Sequence, residues 1–195
     1  MLARETRTLP RGEDWNYEFQ WGGERVRAIK REGGVRILGK DGRELANRFP
    51  RVAAAIAKLR AENVVIDGEV LLLDAYSPAA ISRLAHFSDD VAVARVALLA
   101  YDLLEVQGED LRGISLICRR LKLASVIQST PIILSPRAAE TPEQALVEAV
   151  RLGLPGIVAK RDGSAYRPNA ATQDWVKISA VRAELHEPRP RAFAA

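Results

Sequence analysis

The segment Val64-Val65-Ile66-Asp67-Gly68-Glu69-Val70-Leu71-Leu72-Leu73 decides how the chain is read. Two apolar runs, Val64–Ile66 and Val70–Leu73, flank an acidic Asp-Gly-Glu. Short apolar runs rich in β-branched residues read as buried strands. The glycine between them predicts a bend or bulge in a buried strand pair. Glu69 is then the informative residue. A carboxylate among such neighbours is expensive to bury alone, so a cationic or hydroxyl-bearing group is expected beside it.

Working outward from this strand pair, the N-terminal side also reads as β structure. Tyr17–Phe19, Arg25–Lys30 and Val35–Leu38 alternate apolar and polar residues, with a hairpin turn at Glu32-Gly33-Gly34 and a further turn at Asp41-Gly42. Asn47 to Arg60 carries Phe49, Val52, Ile56 and Leu59 at helical spacing. On the C-terminal side, Val96–Leu104 is a buried strand, Ser115–Ile127 a helix and Ile132–Leu134 a strand. Thr141-Pro142-Glu143-Gln144 starts another helix, with proline at its first position, that ends before Gly153. Gly156–Lys160 and Trp175–Ile178 are two more strands. The pattern is α+β, with mainly antiparallel sheets packed against helices. Residues 1–14 are expected to form a flexible lead-in, 15–182 the folded domain, and 183–195 a disordered tail containing Pro188 and Pro190.

Composition sets outer bounds. The chain has 195 residues, 48% of them hydrophobic, enough for one sizeable core. No apolar run approaches the roughly 20 residues of a membrane span, and the basic opening has no apolar stretch behind it as a secretory signal would. Cytoplasmic placement and no membrane partner are the expectation. The single Cys118, and His86 and His186 standing apart, speak against a zinc centre. A formal charge of +4 favours a polyanionic partner.

Five segments carry more than fold. They are Glu18-Phe19-Gln20-Trp21-Gly22-Gly23-Glu24-Arg25, then Gly39-Lys40-Asp41-Gly42, then Ile66-Asp67-Gly68-Glu69-Val70, then Ala100-Tyr101-Asp102-Leu103-Leu104 with Asp110-Leu111-Arg112-Gly113. The last begins at Gly153-Leu154-Pro155-Gly156-Ile157-Val158-Ala159-Lys160 and continues through Tyr166-Arg167-Pro168 to Asp174-Trp175-Val176-Lys177-Ile178-Ser179. Read alone, the first is an edge hairpin, the second an exposed turn, and Tyr101 a core tyrosine. In order and spacing they resemble the nucleotidyltransferase motifs of ATP-dependent DNA ligases, most closely the ligase domain of bacterial end-joining proteins.

The resemblance implies an ATP-grasp-like adenylation domain using ATP and Mg²⁺, with DNA and a DNA-repair protein as partners. It marks Glu18, Arg25, Lys40, Glu69, Tyr101, Lys160 and Lys177 as nucleotide-binding, Tyr101 as the adenine platform and Glu69 also as a metal support. It also exposes departures. Gln20 stands at the position of the lysine that attacks the α-phosphorus of ATP, and Gly22 at that of the motif's aspartate. Pro155 replaces a metal-site glutamate, Ala171 an arginine, and Ser179 a second phosphate-binding lysine. An amide nitrogen shares its lone pair with its carbonyl and is no nucleophile, so a pseudoenzyme is expected. About twenty residues follow Trp175, too few for the oligonucleotide-binding barrel of ligases. Two alternatives stand beside this reading: adenylation of a substitute lysine such as Lys30 or Lys40, or a non-catalytic interaction module.

Overall fold

A computed structural model describes residues 1–73 and 95–180. His86, His186, the expected boundary at 182 and the expected tail over 183–195 lie outside the described residues. Among the described residues, ten strands and three helices follow one another as β1 (Leu2–Glu5), β2 (Trp15–Gln20), β3 (Glu24–Arg31), β4 (Gly34–Gly39), α1 (Pro50–Ala57), β5 (Val64–Leu72), β6 (Val96–Val106), β7 (Glu109–Asp110), α2 (Leu116–Ile127), β8 (Ile133–Leu134), α3 (Pro142–Arg151), β9 (Gly156–Arg161) and β10 (Ala171–Ser179). One sheet has the order β1-β10-β9-β2. The other runs β4-β3-β5-β6-β7, with β8 also pairing with β6. All pairings are antiparallel except β1 with β10 and β6 with β8. This is the α+β arrangement expected, with open sheets and no closed barrel among the described residues. None of the described helices is long and apolar enough to cross a membrane.

The period-two alternation of the strands decides what each sheet buries. In the first sheet, Tyr17, Ile157, Ala159, Val176 and Ile178 point to one side and pack on Ala145 and Ala149 of α3. Asn16, Glu18, Gln20, Val158, Lys160, Trp175 and Lys177 take the other side, since residues directly opposite on antiparallel strands share a face. In the second sheet, Val26, Ala28, Ile66, Val70, Leu98 and Ala100 form a core with Phe49, Val52 and Ile56 around α1 and Leu123 of α2. Arg25, Arg27, Asp67 and Glu69 lie on the reverse face. The polar faces of the two sheets border a single cleft.

The helix ends follow their local chemistry. Pro50 and Pro142 occupy first-turn positions, where a missing N–H costs nothing. The Ser115 hydroxyl accepts from the Cys118 N–H at 3.4 Å, and that of Thr141 from the Gln144 N–H at 3.3 Å. Helix α1 is shorter than the expected Asn47–Arg60, because residues 47–49 are used in turns that lead into Pro50.

Three sequence expectations are corrected. The lead-in over 1–14 begins with a strand, β1, paired to β10, and Met1 is buried against Leu116 and Trp175. Parallel backbone pairing to β10, with Ala3 packed beside Met1 and Trp175 and Glu5 3.7 Å from Lys177, places Leu2–Glu5, and side-chain alternation did not reveal it. The expected strand pair around Asp67-Gly68-Glu69 is one continuous strand, β5. Its two irregularities lie on the partner: Val65 pairs with Glu105 and Ile66 with Leu103, leaving Leu104, while Asp67 pairs with Asp102 and Gly68 with Ala100, leaving Tyr101 as the extra residue of a bulge in β6. Gly68 is needed because a Cβ there would strike the Leu99 carbonyl.

Candidate nucleotide cleft

The cleft has a volume of about 240 Å³ and is lined by Ala3, Phe19, Gln20, Trp21, Gly22, Arg25, Glu69, Tyr101, Pro155, Val158, Lys160 and Trp175. Of the residues expected to bind nucleotide, it brings together Arg25, Glu69, Tyr101 and Lys160, and it includes Gln20. The β6 bulge re-aims Tyr101 out of the sheet plane and into this wall.

Glu18 lies beneath the cleft rather than on its wall. The buried carboxylate takes Lys160 Nζ at 2.8 Å and Ser135 Oγ at 2.7 Å on Oε2, and Asn16 Nδ2 at 2.9 Å and Arg120 Nη1 at 3.1 Å on Oε1. Four donors on two oxygens satisfy the hydrogen-bonding capacity of this buried carboxylate. Lys160 Nζ also sits 4.6 Å from the ring centre of Tyr101 and 4.5 Å from that of Trp175. Burial pulls the Lys160 amine below the usual lysine range, and the Glu18 charge opposes that pull. Lys160 is therefore a floor between two aromatic walls, already engaged with Glu18.

Glu69 accepts the Gly23 N–H at 3.0 Å. Burial raises its pKa to about 7, against the lowering effects of that hydrogen bond and of Lys160 and Arg25. Arg25 itself is drawn to Asp67, donating from Nε at 3.2 Å and from Nη2 at 2.8 Å, and Tyr166 donates its hydroxyl to the same carboxylate at 2.8 Å. Burial pushes the Tyr101 hydroxyl well above the usual phenol range.

Position 20 is tied into the backbone. The Gln20 side-chain amide donates to the Ile157 carbonyl at 3.1 Å and to the Ile178 carbonyl at 3.2 Å. Both amide hydrogens are thus committed to β9 and β10. Gly156 lies opposite Gln20 and permits this close approach, with φ of 155° and no room for a Cβ beside the Ile178 carbonyl.

Besides Glu18, two expected site residues fall outside the cleft wall. Lys40 sits on an exposed turn after β4 and lines a separate, smaller cleft with Arg25. Lys177 shares the cleft-side face of β10 but stands at its rim, 3.7 Å from Glu5. Strand β1, which the sequence pattern did not show, supplies that counter-charge. The substitute nucleophile Lys30 faces the opposite side of its sheet, where Nζ donates to the Leu59 carbonyl at 2.7 Å and to Glu62 at 2.9 Å. Lys160 pairs across the sheet with Asn16, four residues from Gln20 along β2, so it does not replace the missing lysine in place.

Sequence reasoning missed Asn16, Arg120 and Ser135, which hold Glu18, and Trp21 and Val158, which line the wall. The alternation of β2 and β9 carried the signal for Asn16 and Val158. Nothing local marked Arg120, which reaches Glu18 from α2. Its neighbour Arg119 forms a fully buried pair with Asp102, donating from Nε at 2.7 Å and Nη2 at 2.9 Å, and from Nη1 to the Ser164 carbonyl at 2.9 Å. That pair fixes the strand carrying Tyr101 to the loop after β9.

No group of three or more His, Cys, Asp or Glu side chains capable of holding a metal occurs among the described residues. Glu18 is saturated, and Glu69 is the one carboxylate on the cleft wall, with raised proton affinity. Magnesium takes ionised carboxylates together with water or phosphate oxygens.

The sequence and the fold that carry this cleft have counterparts among known proteins. Residues 1–179 match the family model described as ATP dependent DNA ligase domain. The multifunctional non-homologous end joining protein LigD of Pseudomonas aeruginosa is 33% identical over 180 residues, covering 91% of this chain and 21% of the relative. A DNA ligase of Pyrobaculum calidifontis is 31% identical over 174 residues, covering 82% of this chain and 30% of its own. Among solved structures, mycobacterial DNA ligase D complexed with ATP and MES superposes with a TM-score of 0.73 at 26% identity, covering 91% of this chain and 60% of that one. The chain thus spans about a fifth of the length of the LigD relatives. Match, likeness and cleft agree, and the chain belongs to the ATP dependent DNA ligase domain family.

Proposed function

We propose that this chain is a ligase-type adenylation module that holds a nucleotide in the cleft without forming an AMP adduct at position 20. The observation that carries the proposal is the Gln20 amide, which has no free lone pair and whose hydrogens go to Ile157 and Ile178. Tyr101 is the platform for the base, Glu69 the partner for a ribose hydroxyl, and Lys160 the cation at the cleft floor. Pro155 on the wall offers no carboxylate, in keeping with lost chemistry and retained shape. DNA is the proposed macromolecular partner, supported by the net charge of +4 and by the DNA-acting names of the relatives. Action beside a DNA-repair protein in the cytoplasm follows from the same family reading. A rise in melting temperature on titration with ATP tests the retained pocket, because a ligand that binds only the folded state stabilises it. An unchanged melting temperature at millimolar ATP would leave an empty interaction module instead.

A further inference from the structure

The platform and the floor of the cleft come from different sheets. Tyr101 stands on β6 of the second sheet and Lys160 on β9 of the first, and no strand pairing joins the two sheets among the described residues. Lys160 Nζ nevertheless sits 4.6 Å from the Tyr101 ring centre. Something other than a β ladder sets that spacing.

Arg120 of α2 spans the gap. Its Nη1 donates to Glu18 Oε1 at 3.1 Å and to the Tyr101 carbonyl at 3.2 Å, and its Nη2 to the Ser135 carbonyl at 2.6 Å. Glu18, on β2 of the first sheet, in turn takes Lys160 Nζ on Oε2 at 2.8 Å. Tyr101 is the extra residue of the β6 bulge, and such a residue is left outside the ladder, so its carbonyl can take a side-chain donor. Ser135, just after β8, closes the ring. Its N–H donates to the Ala100 carbonyl at 2.8 Å and its hydroxyl to Glu18 Oε2 at 2.7 Å. A guanidinium can hold acceptors from three segments because its donors lie in one rigid plane, which a lysine amine does not offer. The Arg120 side chain is only 15% exposed and lies behind the cleft, not on its wall.

We propose that Arg120 is a positioning residue that fixes Lys160 against Tyr101 across the two sheets and so keeps the cleft preformed for a base. The base rests on the nucleotide reading above, while the fixed spacing stands on the hydrogen bonds alone. Preforming a site lowers the ordering cost of binding.

The spacing is read first without ligand, by proton–carbon correlation spectra of protein labelled with ¹³C-lysine. The end of the Lys160 side chain lies over the rings of Tyr101 and Trp175, whose ring currents shift its proton signal upfield. Lys160→Arg assigns that signal by its loss. Arg120→Lys keeps the charge and the stem but gives up the fork, and Arg120→Met keeps the stem alone. Both are expected to return the Lys160 signal toward the ordinary lysine position, with melting temperature reporting that each variant is folded. Should Arg120→Met fail to fold, Arg120→Lys still decides. Calorimetric titration with ATP is the second readout. Loss of the fork is expected to weaken binding about fivefold, the size of one aromatic contact. In a Tyr101→Ala background the same change should weaken it by less than about twofold, because residues that act through one another are not additive. A Lys160 signal unmoved in folded variants, an unchanged ATP affinity, or equal losses in both backgrounds would each overturn the proposal. A wild type that binds no ATP ends the nucleotide reading, and the Lys160 signal then decides the positioning role by itself.

Discussion

Gln20 donates its side-chain amide to the Ile157 carbonyl at 3.1 Å, at the position where the resemblance expects a lysine amine to face the cleft. A second hydrogen bond, to Ile178 at 3.2 Å, makes the residue a bridge across β2, β9 and β10. Position 20 is thus a structural joint between three strands on the wall of the cleft.

Gln20→Ala should therefore cost stability. Losing two partly buried hydrogen bonds and leaving their acceptors open predicts a loss of about 1–3 kcal/mol. Urea denaturation of both proteins measures it, and an unchanged midpoint would show that the bridge contributes nothing.

Gln20→Lys by itself should not restore nick sealing. Gly22 and Pro155 would still stand where the resemblance implies an aspartate and a glutamate, and the new amine would compete for the same carbonyls. A sealed product on a denaturing gel would contradict this.

Tyr101→Ala should weaken ATP binding by about 1 kcal/mol or more through lost stacking. Calorimetric titration reads the change. Equal affinity in the variant would return Tyr101 to a purely packing role beside Lys160.

The Asp102–Arg119 pair should be structural. Removing one member strands a buried charge, so Arg119→Met is expected to cost about 3–5 kcal/mol. A variant with wild-type denaturation would show that the pair is not needed to fix β6 against the Ser164 loop.

Glu69 gives stability a pH signature. Its folded pKa of about 7 lies above the ordinary glutamate value of 4.5, so the native state holds the proton more tightly than the unfolded chain. The Glu69 contribution is then fully present below pH 4.5 and is lost as pH rises to about 7. Glu69→Gln should remove that decline, so the gap between the two proteins should change steadily across this window. Parallel urea curves at every pH would contradict it.

Much of this was legible in the sequence because alternation and helical spacing follow directly from burial. Tyr17, Val26, Ile66 and Ile157 announce their strands, and Ser115 and Thr141 their helix starts. The Asp-Gly-Glu of β5 pointed to an unusual buried carboxylate, and Glu69 is one. Other features depend on distant partners and left no local trace. Leu2–Glu5 is a strand only because β10 offers it an edge. Glu18 is satisfied by Arg120 and Ser135, more than a hundred residues along the chain. The bulge was expected at Gly68 but falls at Tyr101, since a glycine marks where a neighbouring backbone comes close and does not say which strand carries the extra residue. Lys40 and Lys177 matched positions of a known pattern, yet local pairing and exposure took them off the cleft wall.

The most direct test of the central claim is the intact mass of the purified protein after incubation with ATP and Mg²⁺ or Mn²⁺. An unchanged mass, with a melting temperature raised by ATP, is the result predicted for a pocket that binds without reacting. A mass increased by one AMP would contradict it, and peptide mapping would then name the lysine that had taken over from position 20.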